Sequence, residues 1–257
     1  MTQPIPGPKR KTTEENPTFM PKLKVITFDL DNTLWDVEVV IANAERRMRS
    51  WLVEHVPEYP QLFPPEAIKD LRSEVVGRHP EFKHDLSKLR EEILFEAILR
   101  CGYAQAQARL YAQEAFQRFF EARHEVEFFE GALETLAVLA DQYVLGALTN
   151  GNADFQKLKL DSYFSFGYSA ASVGAGKPEP HMFRAALKHT GASARETVHV
   201  GDHLVDDIQG AAGVGMHTIW VNLTGSPPPT ETAAPTDTVS RVQDIPAAVI
   251  RIAENQS

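Results

Sequence analysis

The spacing of apolar positions along the chain changes character twice. Leu23 to Phe28 (LKVITF) is a short β-rich run that stops at the polar DLDNT, which predicts a buried strand ending in a loop. From about Asp36 to His124 the spacing is helical. Val37, Val40, Ile41, Ala44, Met48, Trp51 and Leu52 share one face, and Pro57, Pro60, Pro64 and Pro65 then predict a loop. A second stripe (Leu86, Leu89, Ile93, Ala97, Ile98) ends near Gly102, a residue suited to a helix C-terminus, and a third passes through Leu110, Phe116, Phe119 and Phe120.

Beyond Phe129 strands and helices alternate. The pattern predicts a helix from Ala132 to Ala140, a strand YVLGAL (143–148), a strand near Tyr168 to Ala171 and a helix from Pro180 to His189. It continues with a strand Thr197 to Val200, a helix from about Val205 to Ala212, a strand Met216 to Val221, a polar loop at Pro227 to Pro229 and a closing helix Ile245 to Ala253. Such alternation implies an α/β fold, a parallel sheet with helices on both faces. The helical block interrupts it after the first strand, so the expected organisation is a core of 22–36 and 125–257, a helical cap-like domain of 37–124 and a disordered, Pro-rich tail of 1–21.

Composition narrows the function classes. Twenty-six Lys+Arg against 35 Asp+Glu give a net charge of −9, which argues against nucleic acid or a membrane surface as partner. One cysteine, Cys101, excludes an intramolecular disulfide and a cysteine-based zinc cluster. No apolar run approaches the roughly 20 residues of a membrane span. The expected setting is the cytoplasm, as a monomer or homodimer.

Four polar clusters carry chemistry. Asp29 and Asp31 follow the first strand, two carboxylates able to face one cavity, one to attack and one to move protons. Thr149 opens T-N-G-N after YVLGAL, where a hydroxyl and the exposed backbone N–H groups of Asn150 and Gly151 make an anion cradle. Lys177 lies in G-A-G-K-P-E-P, a turn that can present a fixed positive charge. Asp202, Asp206 and Asp207 cluster after TVHV, a hard oxygen site suited to Mg²⁺ or caps for the next helix. Each cluster alone has an ordinary reading as a turn, a cap or a solvated loop. Jointly they lie at the carboxyl edge of the predicted sheet, where open α/β folds bind ligands.

In this order the clusters resemble the four motifs of the haloacid dehalogenase-like hydrolases: DLDNT (29–33), LTNGN (148–152), the lysine of GKPEP (176–180) and GDHLVDD (201–207). The resemblance implies a Rossmann-like core with a C1-type helical cap. It implies Asp29 as nucleophile and Asp31 as the acid that protonates the leaving group and then activates water. Mg²⁺ would be held by Asp29, the Asp31 carbonyl and Asp202, with Asp207 as the second aspartate and Asp206 as the alternative. Thr149 and Asn150 would hold the phosphate, Lys177 would neutralise charge and Thr33 would tie down the loop. His203 departs from the family pattern and either reaches substrate or lines the rim.

The implied activity is Mg²⁺-dependent hydrolysis of a small phosphorylated metabolite. Asp31 favours phosphatase over dehalogenase chemistry, because an alkoxide needs a proton to leave and a halide does not. PEFKHDLSKLR (80–90), with TNGNA and HVGD, resembles the bacterial branch acting on flavin mononucleotide and ribityl-aminouracil phosphate. Arg90, beside an apolar stripe, and Trp35, past the catalytic loop, are candidate substrate contacts or ordinary surface and packing residues. Rival readings are a sugar phosphomutase, a broad nucleotide or sugar-phosphate phosphatase, a 2-haloacid dehalogenase and a non-catalytic binding module.

Overall fold

The computed structural model describes residues 23–227 and 234–255. The expected N-terminal tail and most of the Pro227–Pro229 loop lie outside the described residues.

A six-stranded sheet of order β3-β2-β1-β4-β5-β6 organises the chain, and every described pairing is parallel. β1 (Val25–Phe28) is central and buried along its whole length. Ile26 and Phe28 enter one apolar cluster and Val25 the other, so a strand with no exposed face sits between two helical layers.

After β1 come α1 (Val37–His55), α2 (Tyr59–Leu62), α3 (Pro65–Arg78), α4 (Leu86–Arg100) and α5 (Gln105–Ala122). Asp36 caps α1, its Oδ1 accepting from Glu38 N at 2.9 Å and Val39 N at 3.3 Å. Buried side chains from Ala44 to Ala122 form a cluster of their own, separate from the two that flank the sheet. Two of the four prolines expected to mark a loop instead stand in first helical turns, Pro60 in α2 and Pro65 as the first residue of α3, while Pro57 and Pro64 remain between helices. Proline has no N–H to leave unpaired in a first turn, which is why it is tolerated there.

The chain then returns to the sheet through α6 (Ala132–Ala140) and β2 (Val144–Thr149), followed by β3 (Phe164–Ser169) and α7 (Ala170–Val173). The expected strand at 168–171 is thus displaced. Ser169 and Ser172 form a reciprocal capping box that ends the strand and starts a helical turn. α8 (His181–Thr190) and β4 (Thr197–Gly201) lead to a π-helical turn, Leu204–Gln209, that continues into α9 (Gly210–Ala212). β5 (His217–Val221), the short edge strand β6 (Asp237–Val239) and α10 (Ile245–Glu254) complete the fold. β6 is only three residues long and two of them are polar, so its hydropathy gave no signal. No described helix is long and apolar enough to cross a membrane.

Candidate active site

β1, β2 and β4 are neighbours, so the residues at their carboxyl ends meet. Asp29 follows β1, Thr149 ends β2 and Asp202 follows β4. Lys177 reaches the same point from the loop after α7. Its Nζ donates three hydrogen bonds: to Asp29 Oδ1 at 2.6 Å, to Asp207 Oδ1 at 2.6 Å and to the Leu148 carbonyl at 2.7 Å. All three ammonium protons therefore have acceptors.

The Lys177 backbone is fixed as well. The Asn150 side chain accepts from Lys177 N at 2.7 Å and donates to Lys177 O at 2.9 Å and to Asp206 Oδ2 at 3.2 Å. Asp206 and Asp207, adjacent in sequence, therefore take different roles: one holds the lysine's loop, the other its charge. The π turn supports this arrangement. His203 Nδ1 accepts from Asp206 N at 3.0 Å, while His203 N donates to Asp207 Oδ2 at 3.0 Å. His203 is therefore a cap on the rim, with its side chain 59% exposed, and makes no contact with the lysine cluster beyond this turn.

Asp29, Asp202 and Asp207 each present a carboxylate oxygen, and these oxygens lie within 4.8 Å of one another. Thr33 Oγ1 is 3.3 Å from both Asp29 Oδ2 and Asp202 Oδ1. Burial, reinforced by Asp207 and Asp202, pushes the Asp29 carboxyl well above the ordinary carboxylate range against the pull of Lys177. Burial, and then Asp207, pushes Asp202 up to about 6. Burial acts against the charged forms of Lys177 and Asp207 too. Their mutual attraction, with His199 assisting Asp207, outweighs it and keeps both ionised.

One lysine facing three carboxylates leaves a local excess of negative charge, and the donors are all hard oxygens. That set fits Mg²⁺. Asp207 already accepts from Lys177, His203 N and His199 Nε2 (3.1 Å), so Asp29 and Asp202 hold the more open acceptor capacity.

Asp31 sits on the same loop, in a turn where Asn32 adopts a left-handed φ of 60° and its N–H donates to the Trp35 carbonyl at 2.8 Å. Its carboxylate takes Trp35 Nε1 at 2.9 Å and Arg123 Nη2 at 2.7 Å to each oxygen. Thr149 Oγ1 accepts from Gly151 N at 2.9 Å, and a Cβ at Gly151 would lie 2.6 Å from Asp31 Oδ2. Glycine there is what lets the anion cradle approach Asp31.

Two expected substrate contacts are corrected by this geometry. Trp35 has no exposed surface. It packs edge-on against Phe128 and orients Asp31, leaving no ring face for a substrate. Arg90 is engaged inside the helical insertion, paired with Glu45 and stacked 3.7 Å over the Phe119 ring, with none of its contacts in the carboxylate cluster. Two residues were missed from sequence. His199 joins Thr27 Oγ1 (2.8 Å) to Asp207, and Arg123 holds Asp31. A histidine in an otherwise apolar strand was a readable signal for the first; nothing in FEARHE marks the second.

A cavity of about 280 Å³ runs from Thr149 and Gly151 to the helical insertion, where His84, Asp85, Ser87 and Phe120 line it. Phe155 and Tyr168 supply aromatic wall from the sheet side, and no lysine or arginine lines it among the described residues. Asn152 Nδ2 bridges the two sides, donating to Ser87 Oγ at 3.1 Å.

A parallel α/β sheet whose carboxyl edge gathers an aspartate pair, a clamped lysine and an acidic cluster is the arrangement the four sequence motifs led one to expect of a hydrolase. The haloacid dehalogenase-like hydrolase family matches residues 23–215, and the chain belongs to that family. The chain is 32% identical over 200 residues (78% of it, 84% of the relative) to the 5-amino-6-(5-phospho-D-ribitylamino)uracil phosphatase YigB of Escherichia coli K12. It is also 32% identical over 213 residues (78% and 81%) to a glyceraldehyde 3-phosphate phosphatase of Pyrococcus furiosus. Among solved structures, a protein of Pseudomonas syringae pv. tomato DC3000 described as a 2-haloacid dehalogenase superposes with a TM-score of 0.86 at 39% identity, over 89% of this chain and 99% of that one.

Proposed function

We propose that the protein is a Mg²⁺-dependent phosphomonoesterase acting through an aspartyl phosphate on Asp29, with the helical insertion as a cap over the substrate. The observation that supports it most directly is Lys177 Nζ at 2.6 Å from Asp29 in a cluster that also contains Asp202 and Asp207. Asp29 and Asp202 would hold the cation, with the Asp31 backbone carbonyl. A bound Mg²⁺ supplies positive charge that keeps Asp29 ionised and draws phosphate oxygens in.

The protein's own groups carry the rest. An Asp29 oxygen attacks phosphorus as the ester P–O bond breaks, and Asp31 gives its proton to the departing oxygen. Asp31, now a carboxylate, takes a proton from water. The water oxygen bonds to phosphorus, the P–O bond to Asp29 breaks, and phosphate and both aspartates are restored. The Thr149 hydroxyl, itself held by the Gly151 N–H, and the Asn150 N–H would hold the phosphate oxygens, and Lys177 would offset charge on Asp29 throughout.

The cavity supports a leaving group without a second anionic charge, since Asp85 and Asp154 line it and, among the described residues, no lysine or arginine does. Its aromatic wall and polar rim suit a hydroxyl-rich chain ending in a flat ring, as in a ribityl-aminouracil phosphate or flavin mononucleotide. A phosphate-release screen over these two, nucleotides, sugar phosphates and phosphoglycolate tests the reading. Ribityl phosphates should turn over best and phosphoglycolate worst; the reverse order would reject it.

The dehalogenase description of the Pseudomonas syringae structure favours a second reading, halide displacement from 2-halo acids. Asp31 opposes it, because a halide leaves without a proton. Halide release without Mg²⁺ and without phosphatase turnover would establish that reading instead.

A further inference from the structure

Arg123 belongs to the helical insertion in sequence: it follows α5 directly and closes that helix. Yet its guanidinium lies in the catalytic loop of the sheet, 92 residues from its partner, where Nη2 donates to both oxygens of Asp31 at 2.7 Å. With Trp35 Nε1 at 2.9 Å on Oδ1, the Asp31 carboxylate is held from two sides.

The pairing is poor as a structural clamp. Arginine and carboxylate bind best as a fork on a fork, two parallel N–H···O bonds from two nitrogens. Here one nitrogen serves both oxygens, and Nη1, buried with the rest of the side chain, has no hydrogen-bond partner among the described residues. Burying an unpaired charged donor works against stability. A side chain kept in this geometry serves something other than the fold.

The neighbourhood indicates what. Gly151 stands where a Cβ would lie 2.6 Å from Asp31 Oδ2 and 3.5 Å from Arg123 Nη2, so the pair touches the wall of the phosphate cradle. A group that must give a proton to the leaving oxygen and then take one from water needs a fixed orientation in both steps. An aspartate on a turn has two free torsions. Trp35 restrains it from its own loop, whereas Arg123 restrains it from the insertion, whose α5 packs against α1 and α4.

We propose that Arg123 is the positioning residue for Asp31, a contact borne by the insertion that sets the acid/base carboxylate for transfer to the leaving group. The proposal rests on the phosphatase reading. It ties the substrate-covering element to the proton-transfer group: Asp31 has its second restraint, beside Trp35, only while the C-terminal end of α5 is in place.

The test compares Arg123→Lys, Arg123→Gln and Arg123→Met with wild type on an alkyl phosphate and on p-nitrophenyl phosphate, with Tm measured alongside. An alkoxide needs the proton and nitrophenolate does not. In Arg123→Met, kcat on the alkyl ester should therefore fall about ten-fold or more beyond any fall on the aryl ester, with KM changing less than about three-fold. Arg123→Lys should recover part of that gap. In an Asp31→Asn background, Arg123→Met should widen it no further.

Equal losses on both esters, no loss on either, or failure of all three variants to fold would overturn the proposal and leave Arg123 as a structural clamp. Wild-type turnover of p-nitrophenyl phosphate separates the two levels. If wild type hydrolyses it and the gap is missing, only the positioning role fails; if wild type does not, the phosphatase reading fails and this role with it.

Discussion

Lys177 donates to Asp29 at 2.6 Å across 148 residues of sequence. The contact forms because the loop after β1 and the loop after α7 both open at the carboxyl edge of one parallel sheet, two strands apart at most. The lysine is almost fully buried, and so are both carboxylates it serves. Such a group is costly to desolvate, and only complete pairing offsets the cost.

Lys177→Met therefore leaves Asp29 and Asp207 facing each other without a counter-charge. Removing one partner of a buried ion pair costs about 3–5 kcal/mol. Thermal unfolding should show a Tm lower by about 10 °C for a chain of this size. Mg²⁺ should recover part of the loss, and turnover should be abolished. A variant with unchanged Tm would show that the lysine is not the cluster's counter-ion.

Asp31→Asn removes the group proposed to give and take the proton but keeps the shape. General acid catalysis contributes about 10²–10⁴-fold. Turnover of alkyl phosphates should fall by that order, and p-nitrophenyl phosphate should lose less in its first step, visible as a burst of nitrophenolate. Equal burst amplitudes and equal losses on both substrates would remove Asp31 from the acid role.

Gly151→Ala adds one methyl group where Asp31 Oδ2 lies 2.6 Å from the new carbon. The carboxylate must move, and activity should fall at least about ten-fold. Circular dichroism should be unchanged, because Gly151 has an ordinary negative φ and lies in a loop. Full activity in the alanine variant would mean that Asp31 is free to act from another position.

The acidic cluster makes stability depend on pH and metal together. Asp202 titrates near 6 in the folded protein, against about 4 in an unfolded chain. Its raised value favours the protonated folded form, so the stability it contributes is present below about pH 4 and lost as pH rises through about 6. Asp29 is shifted in the same direction. Mg²⁺ binds only the ionised carboxylates, so the Tm gain from millimolar Mg²⁺ should grow between pH 4 and 7. A gain that is flat or shrinks over that range would show that these carboxylates do not hold the ion.

Much of the fold was legible in the sequence because the central strands are mostly apolar and end abruptly in polar loops. Asp29, Thr149 and Asp202 stand at those abrupt ends, so their meeting followed from the sheet being parallel. β6 and the first residues of β3 were not legible. Edge positions are half exposed, and their residues carry no hydropathy contrast. α3 was hidden by prolines that read as breakers and act as first-turn residues.

The site shows the same division. Groups that follow strands were readable; groups that arrive from the insertion were not. Arg123 is one arginine on a charged helix end until the chain folds it onto Asp31. Arg90 has the same local character and turns instead to Glu45 and Phe119. Local spacing does not distinguish the two, because the choice is made by where each helix packs. Trp35 was visible as an aromatic beside the catalytic loop, but its partner, the Asp31 carboxylate, depends on the tight turn at Asn32.

On the proposed mechanism a carboxylate oxygen of Asp29 bonds to phosphorus during turnover. Acid quenching of the enzyme during steady-state hydrolysis with Mg²⁺, followed by peptide mass spectrometry, reads this bond directly. One added phosphoryl group is expected on the peptide containing Asp29, labile to hydroxylamine, and absent both from Asp29→Asn and when Mg²⁺ is withheld. Phosphate release at the normal rate with no phosphoryl group on that peptide, or with one on a different residue, would contradict it.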